Sequence, residues 1–373
     1  MSQQPSSLVW ADSGRALLFA EWLQSIATSQ QLDPATVTLA SADASFRRYL
    51  RVQGMAGHPS RIIMDAPPDK EDCRPFVRVA QLMQAAGLHA PRVLAWDEAN
   101  GFMLLTDLGN TTMMSALDPH HPEKARPFYR QALDVLITWQ QASRPDVLPP
   151  YDEALLLREL QLFPDWYLAQ HRQAALTDEQ QQMLQDTFSL IIRRNLTAPQ
   201  VYVHRDFMPR NLMLIEDSGA QTTASAKNTH VHTLGVLDFQ DAVYGPLTYD
   251  IASLTRDAFI SWEEDFVLDT TIRYWELARK KGLMDFEDWH QDFGSFYRSV
   301  EWMGLQRHLK IAGIFARLTL RDGKPKYLAD TPRFIGYIRH TARRYQELAP
   351  LLQLIDTVEG DNDVISGFAF GRI

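Results

Sequence analysis

Apolar residues recur at helical spacing near the start of the chain: Leu17, Leu18, Trp22, Leu23 and Ile26 predict a helix over residues 13–32. Short runs of β-branched and aromatic residues follow. Residues 37–39, 49–52 and 61–64 read as strands, with Ser41-Ala-Asp-Ala-Ser45 as a turn and Pro67-Pro68 closing the third strand. Residues 73–86 carry a helical pattern, and Gly87 stands where a left-handed cap is expected. Two further strands, 92–96 and 102–106, are joined by Asp97-Glu-Ala-Asn-Gly101. The order β-β-β-α-β-β predicts a small antiparallel sheet with one main helix packed on it.

Beyond Gly109 the period changes. Residues 123–141, 153–171, 178–194, 263–281, 287–311 and 332–348 all read as helices, separated by short strands at 201–203, 212–215 and 234–237. The polar stretch 218–233, rich in Ser, Thr, Ala and His, reads as a hairpin tip whose His230 and His232 are solvated rather than metal-bound. The fold class expected is α+β and bilobal: a sheet lobe over 1–108, a mostly helical lobe over 109–373, and a cleft between them as the place for a ligand.

Composition narrows the partners. A net charge of −9 over 373 residues argues against nucleic acid, whose phosphates require a basic surface. A single cysteine, Cys73, excludes an internal disulfide and suits a reducing compartment. The polar N-terminus lacks a signal-peptide pattern, and no apolar run approaches the roughly 20 residues of a membrane span. A cytoplasmic protein with no membrane association and no obligate protein partner is expected.

One segment carries most of the chemistry. His204-Arg-Asp-Phe-Met-Pro-Arg-Asn211 matches the kinase catalytic-loop pattern H-R-D-x-x-x-x-N at each defined position. In that pattern Asp206 accepts the proton of an attacking hydroxyl, while Asn211 reaches a metal on the nucleotide phosphates. Downstream, Leu234-Gly-Val-Leu-Asp238-Phe-Gln240 is an apolar strand ending in an acid, which puts Asp238 at the second metal position, with Gln240 where D-F-G has glycine. His204 reads as a support of the loop. Asp250, in Tyr249-Asp-Ile-Ala-Ser253, reads as a helix cap or a brace to the loop.

With these segments the chain resembles the aminoglycoside phosphotransferase superfamily, the small-molecule branch of the protein kinase-like fold. Five further segments are similar to the bacterial anomeric kinases of N-acetylmuramate and N-acetylglucosamine that serve peptidoglycan recycling. They are Ser41-Ala-Asp-Ala-Ser-Phe-Arg-Arg-Tyr49, Ile63-Met-Asp-Ala-Pro-Pro68, Leu104-Leu-Thr-Asp-Leu-Gly109, Leu162-Phe-Pro-Asp-Trp-Tyr167 and Gln306-Arg-His-Leu-Lys-Ile-Ala-Gly-Ile-Phe-Ala-Arg317. The resemblance implies ATP and Mg²⁺ as cofactors, a small amino sugar as acceptor, nucleotide binding in the first lobe, and the backbone of Thr106, Asp107 and Leu108 against adenine. It leaves open an antibiotic phosphotransferase, a choline- or homoserine-type kinase, and a non-catalytic nucleotide-binding pseudokinase.

The chain departs from the kinase pattern on the third strand, where Met64 stands in place of the phosphate-binding lysine. Arg47 and Arg48 at the first turn and Arg78 on the following helix are the candidate replacements; Arg74 is a further basic residue there. For the acceptor pocket the candidates are Glu159, Trp166, Asp241 and His308. Glu159 and Trp166 are seven residues apart and share a face if the helix is regular. Arg256 and Arg307 are the arginines available to a carboxylate on the acceptor.

Overall fold

The computed structural model describes residues 10, 12–42, 46–216 and 232–360. The end of the first turn (43–45) and most of the expected hairpin tip at 218–233, His230 included, lie outside the described residues. Two compact units divide the chain: residues 1–112 with 211–241, and residues 113–210 with 242–373.

The first unit opens with α1 (Ser13–Gln30), capped by Asp12, whose side chain accepts from Gly14 N–H at 2.8 Å. Five antiparallel strands follow in the order β1-β2-β3-β5-β4: β1 (Leu32–Ala42), β2 (Arg48–Gly54), β3 (Arg61–Asp65), β4 (Val93–Asp97) and β5 (Phe102–Thr106). Phe19, Leu23 and Ala27 of α1 bury against Leu50, Val52, Ile63, Phe102 and Leu104 on one face of the sheet. Because side chains alternate along a strand, Met64 and its partner Met103 point to the other face. The helix α2 (Arg74–Ala85) ends before Gly87, which adopts φ +79°, the left-handed conformation expected of it.

The hairpin β7 (Leu212–Glu216) and β8 (His232–Val236), assigned by the sequence pattern to residues 109–373, belongs to this first unit. Backbone bonds explain the difference. Leu214 N–H donates to Thr111 O at 2.8 Å, and Val236 N–H to His89 O at 2.7 Å.

The second unit is built from α3 (Pro122–Gln141), α4 (Glu153–Leu162), α5 (Asp178–Leu196), α6 (Thr248–Thr255), α7 (Glu264–Lys280), α8 (Phe293–Leu320), α9 (Thr331–Arg344) and α10 (Ala349–Glu359). A two-stranded antiparallel ladder joins β6 (Gln200–Val203) to β9 (Val243–Pro246). The buried helix α8 crosses α4 closely at Gly313, where a Cβ would lie 2.3 Å from Leu162 O. Helix 153–171 was expected to be regular, but after Leu162 it continues as a π-helix, Phe163–His171. Pro164 offers no N–H to the α-helical ladder, so the pitch changes there. The last predicted helix stops at Arg344, where Tyr345 turns extended, and α10 begins afresh with Pro350 in its first turn.

Candidate active site

In the second unit, β6 delivers His204 and its neighbours, and the β6–β9 ladder brings the chain back so that α6 lies beside them. Asp250 of α6 is fully buried. Its carboxylate accepts from His204 N–H at 2.7 Å and from Arg205 N–H at 3.1 Å. Arg205 sits at φ +76°, a conformation costing an L-residue about 1–2 kcal/mol, so the two bonds hold a strained turn in place. Burial pushes the Asp250 carboxyl up and the two backbone N–H groups pull it back; the balance is about 7. Asp206 N–H donates to His204 Nδ1 at 3.2 Å, which makes that ring nitrogen an acceptor and fixes the side of the imidazole facing the loop.

Below the turn lies a buried ionic network that the sequence did not announce. Glu159 of α4 accepts from the Arg205 guanidinium and the Tyr151 hydroxyl, from Gln306 Nε2 at 3.1 Å and from Lys310 Nζ at 2.8 Å. Lys310 also donates to the Tyr249 hydroxyl at 3.1 Å. Gln306 and Lys310, four residues apart on α8, share one face, which is the signal that could have paired them. Burial raises the Glu159 carboxyl, but Lys310 and Arg205 outweigh it and hold the group down to about 2. Asp206 lies within electrostatic reach of both cations.

The first unit carries the other half of the motif, five residues further along the chain. Leu237 N–H donates to Asn211 O at 2.9 Å, which aligns the two strand ends. Asn211 Nδ2 meets Asp238 Oδ2 at 3.3 Å, and Gln240 Nε2 meets Asp238 Oδ1 at 2.9 Å. Asp238 adopts φ +63°, a strained backbone that turns its carboxylate back toward Asn211. An amide and a carboxylate are hard oxygen donors and fit a divalent cation such as Mg²⁺, which takes one or two protein ligands and completes its shell with phosphate oxygens and water. Among the described residues, no three or more His, Cys, Asp or Glu converge as a metal cage.

The remaining predicted residues have varied settings. Arg47 is buried and pairs with Glu71 at 3.1 Å, with Asp241 in electrostatic reach. Arg48 is bound at 2.5 Å to the buried Asp65, which also takes Arg15. Arg78 is exposed on α2. Thr106 N–H already donates to Arg92 O at 3.0 Å, and the Asp107 carboxylate is taken by Arg51 and Ser60; Leu108 packs its side chain over Gly235. Burial raises the Asp107 carboxyl, and Arg51, Ser60 and Gly109 N–H more than offset that, so its pKa is lowered.

For the acceptor candidates, Glu159 is committed to the ionic network. His308 is buried, stacks on Tyr337 at 4.6 Å and is held neutral by burial. Trp166 is half-buried on the π-helix, so the shared face with Glu159, which assumed 3.6 residues per turn, does not follow. Asp241 is exposed in the first unit. Arg256 pairs with Glu264 at 2.5 Å, and Arg307 is buried within electrostatic reach of Asp250 and Asp257.

Comparison with known proteins follows the same lines. The description "Phosphotransferase enzyme family" fits residues 36–291, more than half of the chain. This chain belongs to the phosphotransferase enzyme family. Among curated relatives, the N-acetylmuramate/N-acetylglucosamine kinase of Neisseria meningitidis serogroup B is 46% identical over 95% of this chain and 99% of its own length. That of Pseudomonas aeruginosa is 48% identical over 87% and 89%. Among solved structures, an ethanolamine kinase of Plasmodium vivax aligns with TM-score 0.58 at 9% identity over 94% of this chain and 93% of its own. A choline kinase of Cryptosporidium parvum aligns with TM-score 0.57 at 12% identity over 90% and 99%. At those identities the likeness concerns the fold, and the α+β, protein kinase-like fold expected from the sequence is the one found. Among the described residues no helix is long and apolar enough to cross a membrane.

Proposed function

We propose that this phosphotransferase moves the γ-phosphoryl group of ATP onto the anomeric hydroxyl of N-acetylmuramate and N-acetylglucosamine, giving the sugar 1-phosphates used in peptidoglycan recycling. The observation that carries the reading is the 46–48% identity, over most of both chains, to relatives named as kinases of these two sugars. The chemistry of the residues supports it. Asp206 takes the proton of the acceptor hydroxyl as general base. The strained Arg205 turn, held by Asp250 above and Glu159 below, positions that base. Asn211 and Asp238 hold Mg²⁺, which when bound neutralises charge on the phosphates. Gln240 orients the Asp238 carboxylate. The backbone of Asp107 and Leu108 meets adenine, while the hydroxyl of Thr106 serves Arg92. Trp166 and Asp241 remain the acceptor candidates. Glu159 and His308 we assign to support, because the carboxylate of the one and the ring of the other are already engaged in the interior.

The test is ATP-dependent phosphorylation of N-acetylmuramate, N-acetylglucosamine, an aminoglycoside and choline by the purified chain, with product mass and phosphate position determined. Phosphate at the anomeric carbon of both amino sugars is expected. Phosphorylation of the aminoglycoside or choline alone would refute the acceptor, and ATP binding without transfer to any of the four would support a non-catalytic nucleotide-binding protein.

A further inference from the structure

The triphosphate of ATP brings more negative charge than one metal ion neutralises, and the strand position that would answer it is apolar: Met64 is fully buried. The first unit must therefore find its cation elsewhere. Several of its arginines are engaged with other carboxylates. Arg15 and Arg48 share Asp65, Arg51 is on Asp107, and Arg74 is on the neighbouring Asp72.

Arg47 differs. It is buried, only 9% exposed, and directly precedes β2. Glu71 grips this point twice, accepting from Phe46 N–H at 3.2 Å and from the Arg47 guanidinium at 3.1 Å. Three residues past Glu71 the helix α2 begins, and Phe76 in its first turns packs on Phe239 with ring centroids 4.8 Å apart. Phe239 directly follows Asp238. The segment that carries Glu71 thus leads into a helix packed on the residue next to Asp238, and Arg47 lies within electrostatic reach of Asp241, three residues past Asp238.

We propose that the Arg47–Glu71 ion pair replaces the strand lysine of this chain: Arg47 binds the nucleotide phosphates, and Glu71 is the positioning residue that holds its guanidinium. The assignment rests on the reading that the first unit takes ATP. An arginine here offers a planar fork where a lysine offers a point charge, so the two are not interchangeable.

The experiment is calorimetric titration of ATP, ADP and adenosine into wild type, Arg47→Ala, Arg47→Lys and Glu71→Gln, with thermal melting of each. Loss of a charge-assisted contact should raise the ATP and ADP dissociation constants of Arg47→Ala about tenfold or more. Adenosine, which has no phosphate, should bind within about twofold of wild type. Arg47→Lys should fall between the two, and Glu71→Gln should weaken ATP several-fold with adenosine unchanged. Wild-type ATP affinity in Arg47→Ala, or an equal loss for ATP and adenosine, overturns the inference while leaving ATP binding itself intact. If Arg47→Ala does not fold, the same ATP-to-adenosine ratio in Arg47→Lys and Glu71→Gln decides. A wild-type chain that binds no ATP sinks the broader reading together with this one.

Discussion

Asp250→Asn separates the two consequences of burying a carboxylate under the catalytic turn. In the unfolded chain the group titrates near 3.8, and in the folded one near 7. The folded pKa is raised, so the folded state holds a proton that the unfolded state releases between those values. The stability this group contributes is full below about 4 and is lost as pH rises through about 7. That difference in pKa corresponds to about 4 kcal/mol, of which about 2–3 kcal/mol falls between pH 5 and pH 8. Asparagine cannot ionise and lacks that slope. It also has only one acceptor oxygen for two N–H groups, so one donor is left facing an amide nitrogen, a pH-independent cost of about 1–3 kcal/mol. Urea denaturation of wild type and variant at pH 5 and pH 8 should show the gap between them moving in the variant's favour by about 2–3 kcal/mol. Turnover should move the other way. With one of its two bonds gone, the Arg205 turn relaxes from its strained conformation, and a fall of about tenfold or more is expected at pH 8. A gap that stays constant across pH would show that Asp250 does not titrate in this window. Undiminished turnover would show that the turn does not need its brace.

Asp206→Asn should lose roughly 10²–10⁴-fold in turnover with little change in nucleotide affinity, measured by steady-state kinetics and calorimetry; near-normal turnover removes Asp206 from the mechanism. Asp238→Ala should abolish transfer and flatten the dependence of ATP binding on Mg²⁺, and an unaltered Mg²⁺ titration would reassign the metal ligand. Lys310→Met breaks a buried pair whose other member stays charged, so the folded state should lose about 3–5 kcal/mol in denaturant titrations. The double variant Glu159→Gln/Lys310→Met should lose less than the two single changes together, and strict additivity would deny the coupling.

Much of this was legible in the chain because it rests on local rules. Period-2 and period-3.6 patterns marked the strands of the sheet and most helices, and Gly87 announced its own left-handed turn. The loop 204–211 was readable because the H-R-D-x-x-x-x-N pattern holds its defined residues at fixed spacing on one segment. What escaped depends on partners distant in sequence. Glu159 read as a sugar ligand because a carboxylate on an amphipathic helix says nothing of Lys310, 151 residues later, or of the left-handed Arg205 that turns its guanidinium inward. The face shared by Glu159 and Trp166 does not follow for a local reason that was visible in principle: Pro164 lies between them and removes an N–H from the ladder on which the spacing argument depends, and the π-helix begins beside it. Arg48 looked as available as Arg47 because two adjacent arginines after a turn carry the same signal in the sequence. A buried acid on the next strand claims Arg48, however: Arg48 and Asp65 are cross-strand partners in the register of β2 and β3. Neighbours in sequence thus take different carboxylate partners, Arg48 the cross-strand Asp65 and Arg47 the more distant Glu71, and only the folded register tells them apart.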